Sequence, residues 1–157
     1  MKVIDLHCHT IAAKTGDAPT RAVTPDLFSE QLSAAGVEIA AVTNHNLFNI
    51  DQYRDLVSAS KGVAQVWPGA ELDVTRDDEH WHMIVVCDPN KAEMFSTELA
   101  RLVGDKKPDD VTLDFDSVWE TFLPIGALFI SHAHKSPGIS DTEMEKIIAN
   151  AGTEKWR

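Results

Sequence analysis

The sequence predicts an α/β protein in which short apolar strands alternate with helices and curl toward a barrel. The 157-residue chain repeats a unit of strand, capped helix and glycine stop. Such units place parallel strands side by side, joined by right-handed crossovers. Histidines and a glutamate follow the ends of the predicted strands. A barrel gathers strand ends at one mouth, whereas an open sheet spreads them along an edge, so a barrel-like architecture is the better prediction.

The first two helices have clear start and stop signals. Thr24 supplies a capping hydroxyl and Pro25 the first helical residue, and this helix is expected to stop near Gly36. Asn49 opens a second helix that is expected to end near Gly62. Mostly apolar strands flank these helices, as in parallel sheets covered on both faces. The strands span residues 3–6, 37–43 and 63–67.

The second half of the chain continues the alternation. Pro68-Gly69 is expected to break the third strand, and a helix capped near Asn90 is expected to end before Gly104. The remaining predicted elements are a fourth strand at 80–87, a polar loop at 106–113, a short helix at 116–123, a fifth strand at 127–131 and a last helix from 140 to about 150.

The composition excludes several classes of protein. A net charge of −11 argues against passive binding to nucleic acid, because the phosphate backbone rewards patches of Lys and Arg. The apolar runs are too short to span a bilayer, and no secretory signal is visible. Cys8 and Cys87 give no disulfide framework, and Cys8 is expected to be a buried hydrophobe. We therefore expect a cytoplasmic protein with no membrane partner.

A histidine pair gives the first chemical signal. His7 and His9 follow the first strand one residue apart, and the two-residue period of a strand points them to the same side. Such a pair is weak evidence alone. Further polar residues are expected to follow the later strands, and these are Asn44-His45, Glu71, His80, His82, His132 and His134.

This residue set favours a metal centre. Imidazoles mixed with a carboxylate suit Zn, Mn or Fe, and two such ions can activate water for attack on a phosphoester. His80 is expected to be exposed, and His132 is preferred to His134 as the ligand at the fifth strand. A serine mechanism through Ser131 or Ser136 is disfavoured, because the sequence has no nucleophile elbow.

The motifs resemble those of a known family. Residues 5–10, 43–46, 68–72 and 82–84 and the strand ending at His132 are similar, in order, to the successive motifs of the polymerase and histidinol phosphatase (PHP) family. The resemblance implies a distorted TIM-like (β/α) barrel of the PHP type, with seven strands and up to three metal ions. It also implies hydrolysis of phosphomonoesters or phosphodiesters.

The resemblance implies a role for each ligand. His7 and His9 hold a first metal, and Glu71 bridges it to a second. His82 and His132 complete the second site, and His45 belongs to a third.

Other residues receive supporting roles. The candidate catalytic residues are Glu71, Asn44 and Lys135, of which Lys135 is a candidate for binding the substrate phosphate. Asn44 replaces the aspartate that the family usually carries, which weakens the third site. Asp17 could substitute for another missing loop carboxylate, and Asp5 is expected to orient a ligating imidazole through its other nitrogen.

The end of the chain departs from the family pattern. About five of seven strands are predicted, and the last motif is absent before Arg157. Residues 1–157 are therefore interpreted as a single domain, the N-terminal part of a longer protein. We expect one or two divalent ions (Mn, Fe or Zn) rather than three. An unclosed barrel leaves a strand edge that invites a C-terminal domain or a homo-oligomer.

We therefore hypothesise that the protein is a metal-dependent phosphoesterase that uses metal-activated water. Its substrate would be a phosphorylated small molecule or a nucleic acid. One alternative is a deaminase or amidohydrolase, although the metal-binding lysine usual in those enzymes is not identifiable. The other is a non-catalytic module that senses metal or nucleotide for a larger machine such as an ATPase.

Overall fold

A curled half-barrel sheet organises the chain. The computed structural model describes residues 2–131 and 138–153, with side chains up to residue 149. The strands in this part are β1 (Val3–Cys8), β2 (Val37–Val42), β3 (Gln65–Arg76), β4 (Glu79–Val86), β5 (Leu113–Asp114) and β6 (Leu128–Ser131). Their order is β1-β2-β3-β4-β6, and β5 pairs with β3. The architecture is a partial TIM-like barrel.

Five α-helices accompany these strands, and short 3₁₀ turns that contain proline at their first or second residue lie between them. The helices are α1 (Pro25–Ala35), α2 (Ile50–Ala59), α3 (Ala92–Val103), α4 (Phe115–Phe122) and α5 (Asp141–Thr153). None of the helices in the described residues is long and apolar enough to cross a membrane.

The predicted helix signals are confirmed. The Oγ1 of Thr24 accepts the backbone N–H of Leu27 at the start of α1, and the helix ends at Gly36, which has a φ of 66°. The side chain of Asn49 accepts the N–H groups of Asp51 and Gln52 at the start of α2. These caps satisfy backbone donors that a helix leaves without an internal partner.

The expected break at Pro68-Gly69 is wrong, because β3 runs through both residues. Pro68 is the last residue of β3 that pairs with β2, opposite Val42. Gly69 is the first residue that pairs with β4. A Cβ at Gly69 would lie 2.7 Å from the backbone oxygen of Val85, so only glycine permits this close approach. The dipeptide therefore marks a change of partner rather than the end of the strand.

The expected all-parallel sheet is also wrong. β4 pairs antiparallel with both β3 and β6, whereas β1, β2 and β3 are parallel. Only Asp77 and Asp78 separate β3 from β4, and a parallel crossover needs a dozen or more residues. Asp77 adopts a positive φ of 52°, which aspartate tolerates in a tight turn.

The predicted polar loop at 106–113 contains more structure than expected. It includes a 3₁₀ turn at Pro108–Asp110, and β5 begins at Leu113, which pairs with Val74. Val111 and Leu113 are buried in the core under α3 and α4. The prediction failed here because the short apolar positions pack on a strand that lies far away in sequence.

The helices cover one face of the sheet. One core cluster is centred on Trp81 and Phe95, and a second contains Leu56 and Tyr53 from α2. A smaller cluster around Ile84 lies apart from both of these. By strand alternation Ile84 and Trp81 point to opposite faces of the sheet. Glu71 and His82 lie on the same face as Ile84.

Candidate metal centre

Four imidazoles converge on Glu71, whose side chain is completely buried (0% exposed). The Oε2 of Glu71 lies 2.9 Å from His7 Nε2, 3.2 Å from His9 Nε2 and 2.9 Å from His45 Nε2. Its Oε1 lies 3.4 Å from His82 Nδ1. The ligand atoms form two groups that share Glu71, namely His7 with His9 and His45 with His82.

The backbone fixes the approach of His45 to Glu71. These two residues form an isolated parallel bridge beyond the end of β2. The N–H of Glu71 donates to the carbonyl of Asn44 at 3.1 Å, and the N–H of Asn46 donates to the carbonyl of Glu71 at 2.8 Å. Because β3 changes its pairing partner from β2 to β4 just before Glu71, this candidate ligand lies level with the end of β2.

An irregularity in β1 directs the first histidines to the same centre. Between Asp5 and Cys8 the register with β2 shifts, so that three steps along β1 correspond to two along β2. As a result Leu6 packs against the small inner cluster and Cys8 against the α1–α2 core, while His7 turns toward Glu71. Bulges of this kind commonly redirect side chains at functional sites.

Two aspartates lie beside the second ligand group. Asp17 Oδ1 lies 2.9 Å from His45 Nδ1, while Nε2 of the same ring faces Glu71. With Nε2 as the ligand atom, Nδ1 would donate a hydrogen bond to Asp17, and a carboxylate in this position fixes the ring orientation and raises the basicity of the ligand. Asp73 Oδ1 lies 2.9 Å from His82 Nδ1, the same nitrogen that faces Glu71, so Asp73 lies on the ligand side of that ring.

The electrostatics around the centre keep the aspartates ionised and a histidine neutral. Burial raises the pKa of Asp73, but hydrogen bonds with His82, Lys14 and Asn46 outweigh it and hold the pKa well below its ordinary value. Burial lowers the pKa of His9, although its hydrogen bond with Glu71 opposes this effect. The neutral imidazole is the form that binds a metal.

The spacing of the donor atoms fits a divalent ion. The Nε2 atoms of His7 and His9 are 3.1 Å apart and face the same oxygen of Glu71. A neutral imidazole has only one N–H, so ring protons cannot satisfy all these close contacts. In a tetrahedral or octahedral site with bonds of about 2.0–2.1 Å, neighbouring ligand atoms are about 2.9–3.4 Å apart. Nitrogen and carboxylate donors of this kind suit Zn, Mn or Fe.

Among the predicted site residues, the structure brings together His7, His9, His45, Glu71 and His82. His45 Nε2 lies 2.9 Å from the Oε2 of Glu71, and the assignment of His45 to a third site stays a prediction. Asn44 directly precedes His45 and is buried, and its amide oxygen accepts the backbone N–H of Thr10 at 2.7 Å. His132, His134 and Lys135 lie outside the described residues.

Three further expectations concern neighbours of the ligands. Asp5 accepts the backbone N–H of His7 at 3.0 Å, a contact to the main chain rather than to a ring nitrogen. His80 is exposed, as expected. Burial raises the pKa of the Cys8 thiol to about 12, with a further contribution from Asp5, so Cys8 is a protonated thiol at neutral pH.

Sequence reasoning missed Asp73 and Asn46. Asp73 follows Glu71 by two residues on β3, so strand alternation could have placed both carboxylates on one face. Asn46 has a positive φ of 51°, and its amide Nδ2 donates to Asp73 at 2.8 Å while its Oδ1 accepts the N–H of Asp73 at 2.9 Å. No local signal in the sequence indicates that pairing.

Comparison with known proteins extends these observations at the level of fold. Neither the known family models nor the curated protein sequences contain a match to this chain. A proposed metal-dependent phosphoesterase from Bifidobacterium adolescentis superposes on 94% of this chain and 74% of its own, with a TM-score of 0.66 and 15% identity. An amidohydrolase from Chromobacterium violaceum, solved with sulfate and no metal, covers 94% and 72%, with a TM-score of 0.57 and 14% identity. The chain shares its fold with these two proteins.

Proposed function

We propose that the protein is a metal-dependent hydrolase that acts on phosphoesters at a centre of two divalent ions built on Glu71. The observation that carries this proposal is the convergence of four imidazoles on one buried carboxylate. His7, His9 and Glu71 would hold one ion, and His45, Glu71 and His82 would hold the other. The two similar folds, one named a phosphoesterase and the other an amidohydrolase, support the class of reaction.

The chain's own residues supply rigidity and charge. A pair of divalent ions, when bound, contributes an activated water and positive charge for the oxygens of a phosphoester. Glu71 is shared by both ligand groups, so its carboxylate fixes their separation. Asp17 holds His45 in place before substrate arrives, which avoids reorganisation during the reaction.

The test measures metal content and hydrolysis in the same preparation. We expect the purified protein to hold one to two equivalents of Mn, Fe or Zn by elemental analysis, and to hydrolyse p-nitrophenyl phosphate or its bis-ester only with metal present. Chelation should abolish turnover. A parallel assay with the amide p-nitroacetanilide as substrate distinguishes a phosphoesterase from an amidohydrolase.

The outcomes separate the candidate functions. Turnover of the anilide alone would replace the phosphoester by an amide as substrate. Metal binding without turnover of any ester or amide would support the non-catalytic sensor. Less than about a tenth of an equivalent of metal, after refolding with each ion, would contradict the proposed centre.

A further inference from the structure

Two cations of the loop between β1 and α1 stand beside the second ligand group. This loop, residues 9–24, is called the 9–24 loop below. Arg21 Nη1 donates to Asp17 Oδ1 at 2.7 Å and lies 3.1 Å from His45 Nδ1. Lys14 Nζ forms an ion pair with Asp73, the aspartate that contacts the ring of His82. Arg21 therefore contacts a proposed metal ligand directly, and Lys14 is one side chain away from another.

The 9–24 loop is anchored so that these cations have fixed positions. The buried amide of Asn44 accepts the N–H of Thr10 at 2.7 Å, which ties the start of the loop to the end of β2. Asp17 Oδ2 accepts the N–H groups of Ala13 and Lys14, each at 2.9 Å. Asp17 thus closes a tight turn with one oxygen while its other oxygen contacts Arg21.

Both cations retain donors for a further partner. Arg21 carries five N–H donors, and its contacts within the described residues use Nη1 alone. Lys14 Nζ carries three, and Asp73 is its contact in the same part of the chain. The Arg21 side chain is 31% exposed and the Lys14 side chain is 19% exposed, so an incoming ligand can reach both.

The balance of charge favours an anionic substrate. Asp17, Glu71 and Asp73 bring three carboxylates, and Lys14 and Arg21 bring two cations. This leaves one net negative charge, which two divalent ions would turn into a local positive field. A phosphate monoester dianion would meet the ions on one side and the two cations on the other.

We propose that Lys14 and Arg21 form a clamp that binds the phosphate group of the substrate and selects for doubly charged anions. The inference rests on the proposed function for the identity of the anion. Guanidinium groups bind phosphate through paired N–H donors, and lysine acts as a point charge. The clamp would hold phosphate through donors that the two aspartates leave available.

The test is a titration of inorganic phosphate into Mn²⁺-loaded protein, in which calorimetry measures the binding. We expect Arg21→Gln and Lys14→Gln each to weaken phosphate binding about tenfold, and Arg21→Lys to weaken it less than Arg21→Gln, because lysine keeps the charge but not the paired donors. Where turnover is measurable, KM for a phosphomonoester should rise about tenfold and exceed the change in kcat. A singly charged phosphodiester should be affected less.

A matched control is Arg54→Gln. Arg54 also bridges two carboxylates, those of Asp51 and Glu93, but it is 57% exposed on α2, and the variant should bind phosphate normally. Manganese content is measured for every variant. A parallel fall in manganese would overturn the clamp, since the cations would then act only through the ligands.

The titration separates this inference from the proposed function because it needs no turnover. Binding that depends on Arg21 in a protein without hydrolytic activity would keep the clamp and refute the hydrolase. Hydrolysis with unchanged phosphate affinity and KM in Arg21→Gln and Lys14→Gln would refute the clamp and keep the hydrolase. Absence of phosphate binding by the unmutated protein would also refute the clamp.

Discussion

Glu71 and Glu143 are the two fully buried carboxylates in the described part of the chain, at 0% and 1% exposure, and their surroundings differ. Glu143, on α5, accepts hydrogen bonds from Arg76 Nη1 at 3.1 Å and from Lys146 Nζ at 2.9 Å. Glu71 instead lies within 3.4 Å of a ring nitrogen of each of the four imidazoles of the centre.

The difference separates a structural carboxylate from a candidate ligand. Burying a charge costs free energy unless an opposite charge or hydrogen bonds compensate. Arg76 and Lys146 bring permanent positive charge, so Glu143 can anchor α5 to the end of β3. A neutral imidazole brings none, and the histidines suit Glu71 best when a metal ion lies among them.

The largest expected effect is that of Glu71→Gln. An amide cannot serve as a charged ligand shared by both groups, so we expect metal content by elemental analysis to fall below about a tenth of an equivalent. Phosphoesterase turnover should fall by about 100-fold or more.

The matched control is the same change at the other buried site. Glu143→Gln should leave metal content unchanged, because its partners are Arg76 and Lys146. Equal metal content in both variants would show that Glu71 contributes no more to metal binding than Glu143 does.

Asp17→Asn and Asp73→Asn should have the next largest effect. Each replaces a carboxylate that lies 2.9 Å from a ring nitrogen of the second ligand group. Loss of a partner on the non-ligating nitrogen, as in Asp17→Asn, typically costs about 10–100-fold in metal affinity, which competition with a chelator can measure. Asp73→Asn removes a charge beside the nitrogen of His82 that faces Glu71 and should also weaken metal binding. Asp26→Asn, at the start of α1, is the control. Unchanged affinity would mean that the aspartates do not support the ligands.

A smaller effect is expected at the structural carboxylate. Glu143→Gln should lower the free energy of unfolding of the metal-free protein by about 1–3 kcal/mol, because Arg76 loses a charged partner. The lower end of that range is the better estimate, since Lys146 is 54% exposed and can turn to water. Urea unfolding measures the difference, and no loss of stability would contradict the anchoring role.

The smallest effect is a dependence on pH. The hydrogen bond from Lys146 lowers the pKa of Glu143 below its ordinary value of 4.5, burial opposes this, and the charge of Arg76 adds to it. Because the folded-state pKa is the lower one, the contribution to stability is complete above about 4.5 and disappears as the pH falls through the folded value. Metal-free unmutated protein and Glu143→Gln should therefore converge in stability in acid. A gap that stayed constant until the protein unfolds in acid would rule out the charge as its cause.

The local signals in the sequence were sufficient for the helices. Thr24 and Asn49 start α1 and α2 as predicted, because a cap depends on hydrogen bonds within the same few residues. The spacing of His7 and His9 likewise indicated a shared direction. Histidines after successive strands pointed to one cluster, since neighbouring strand ends meet at the same edge of a sheet.

Other features depended on residues that are distant in sequence. The path of β3 through Pro68 follows from its pairing with β2 on one side of that residue and with β4 beyond it. Asn46 meets Asp73 only because the residues after β2 are bound to the backbone of Glu71. Arg21 reaches Asp17 and His45 through the path of the 9–24 loop.

The sequence by itself determined the helix starts, the alternation of strands and helices, and the residue types of a metal centre, because each depends on chemistry within a few neighbouring positions. Only the tertiary structure decided that β4 is antiparallel, that His45 shares Glu71 with His82, and that Lys14 and Arg21 stand beside them. Those arrangements depend on which distant segments pair across the sheet, and single residues carry no record of their long-range partners.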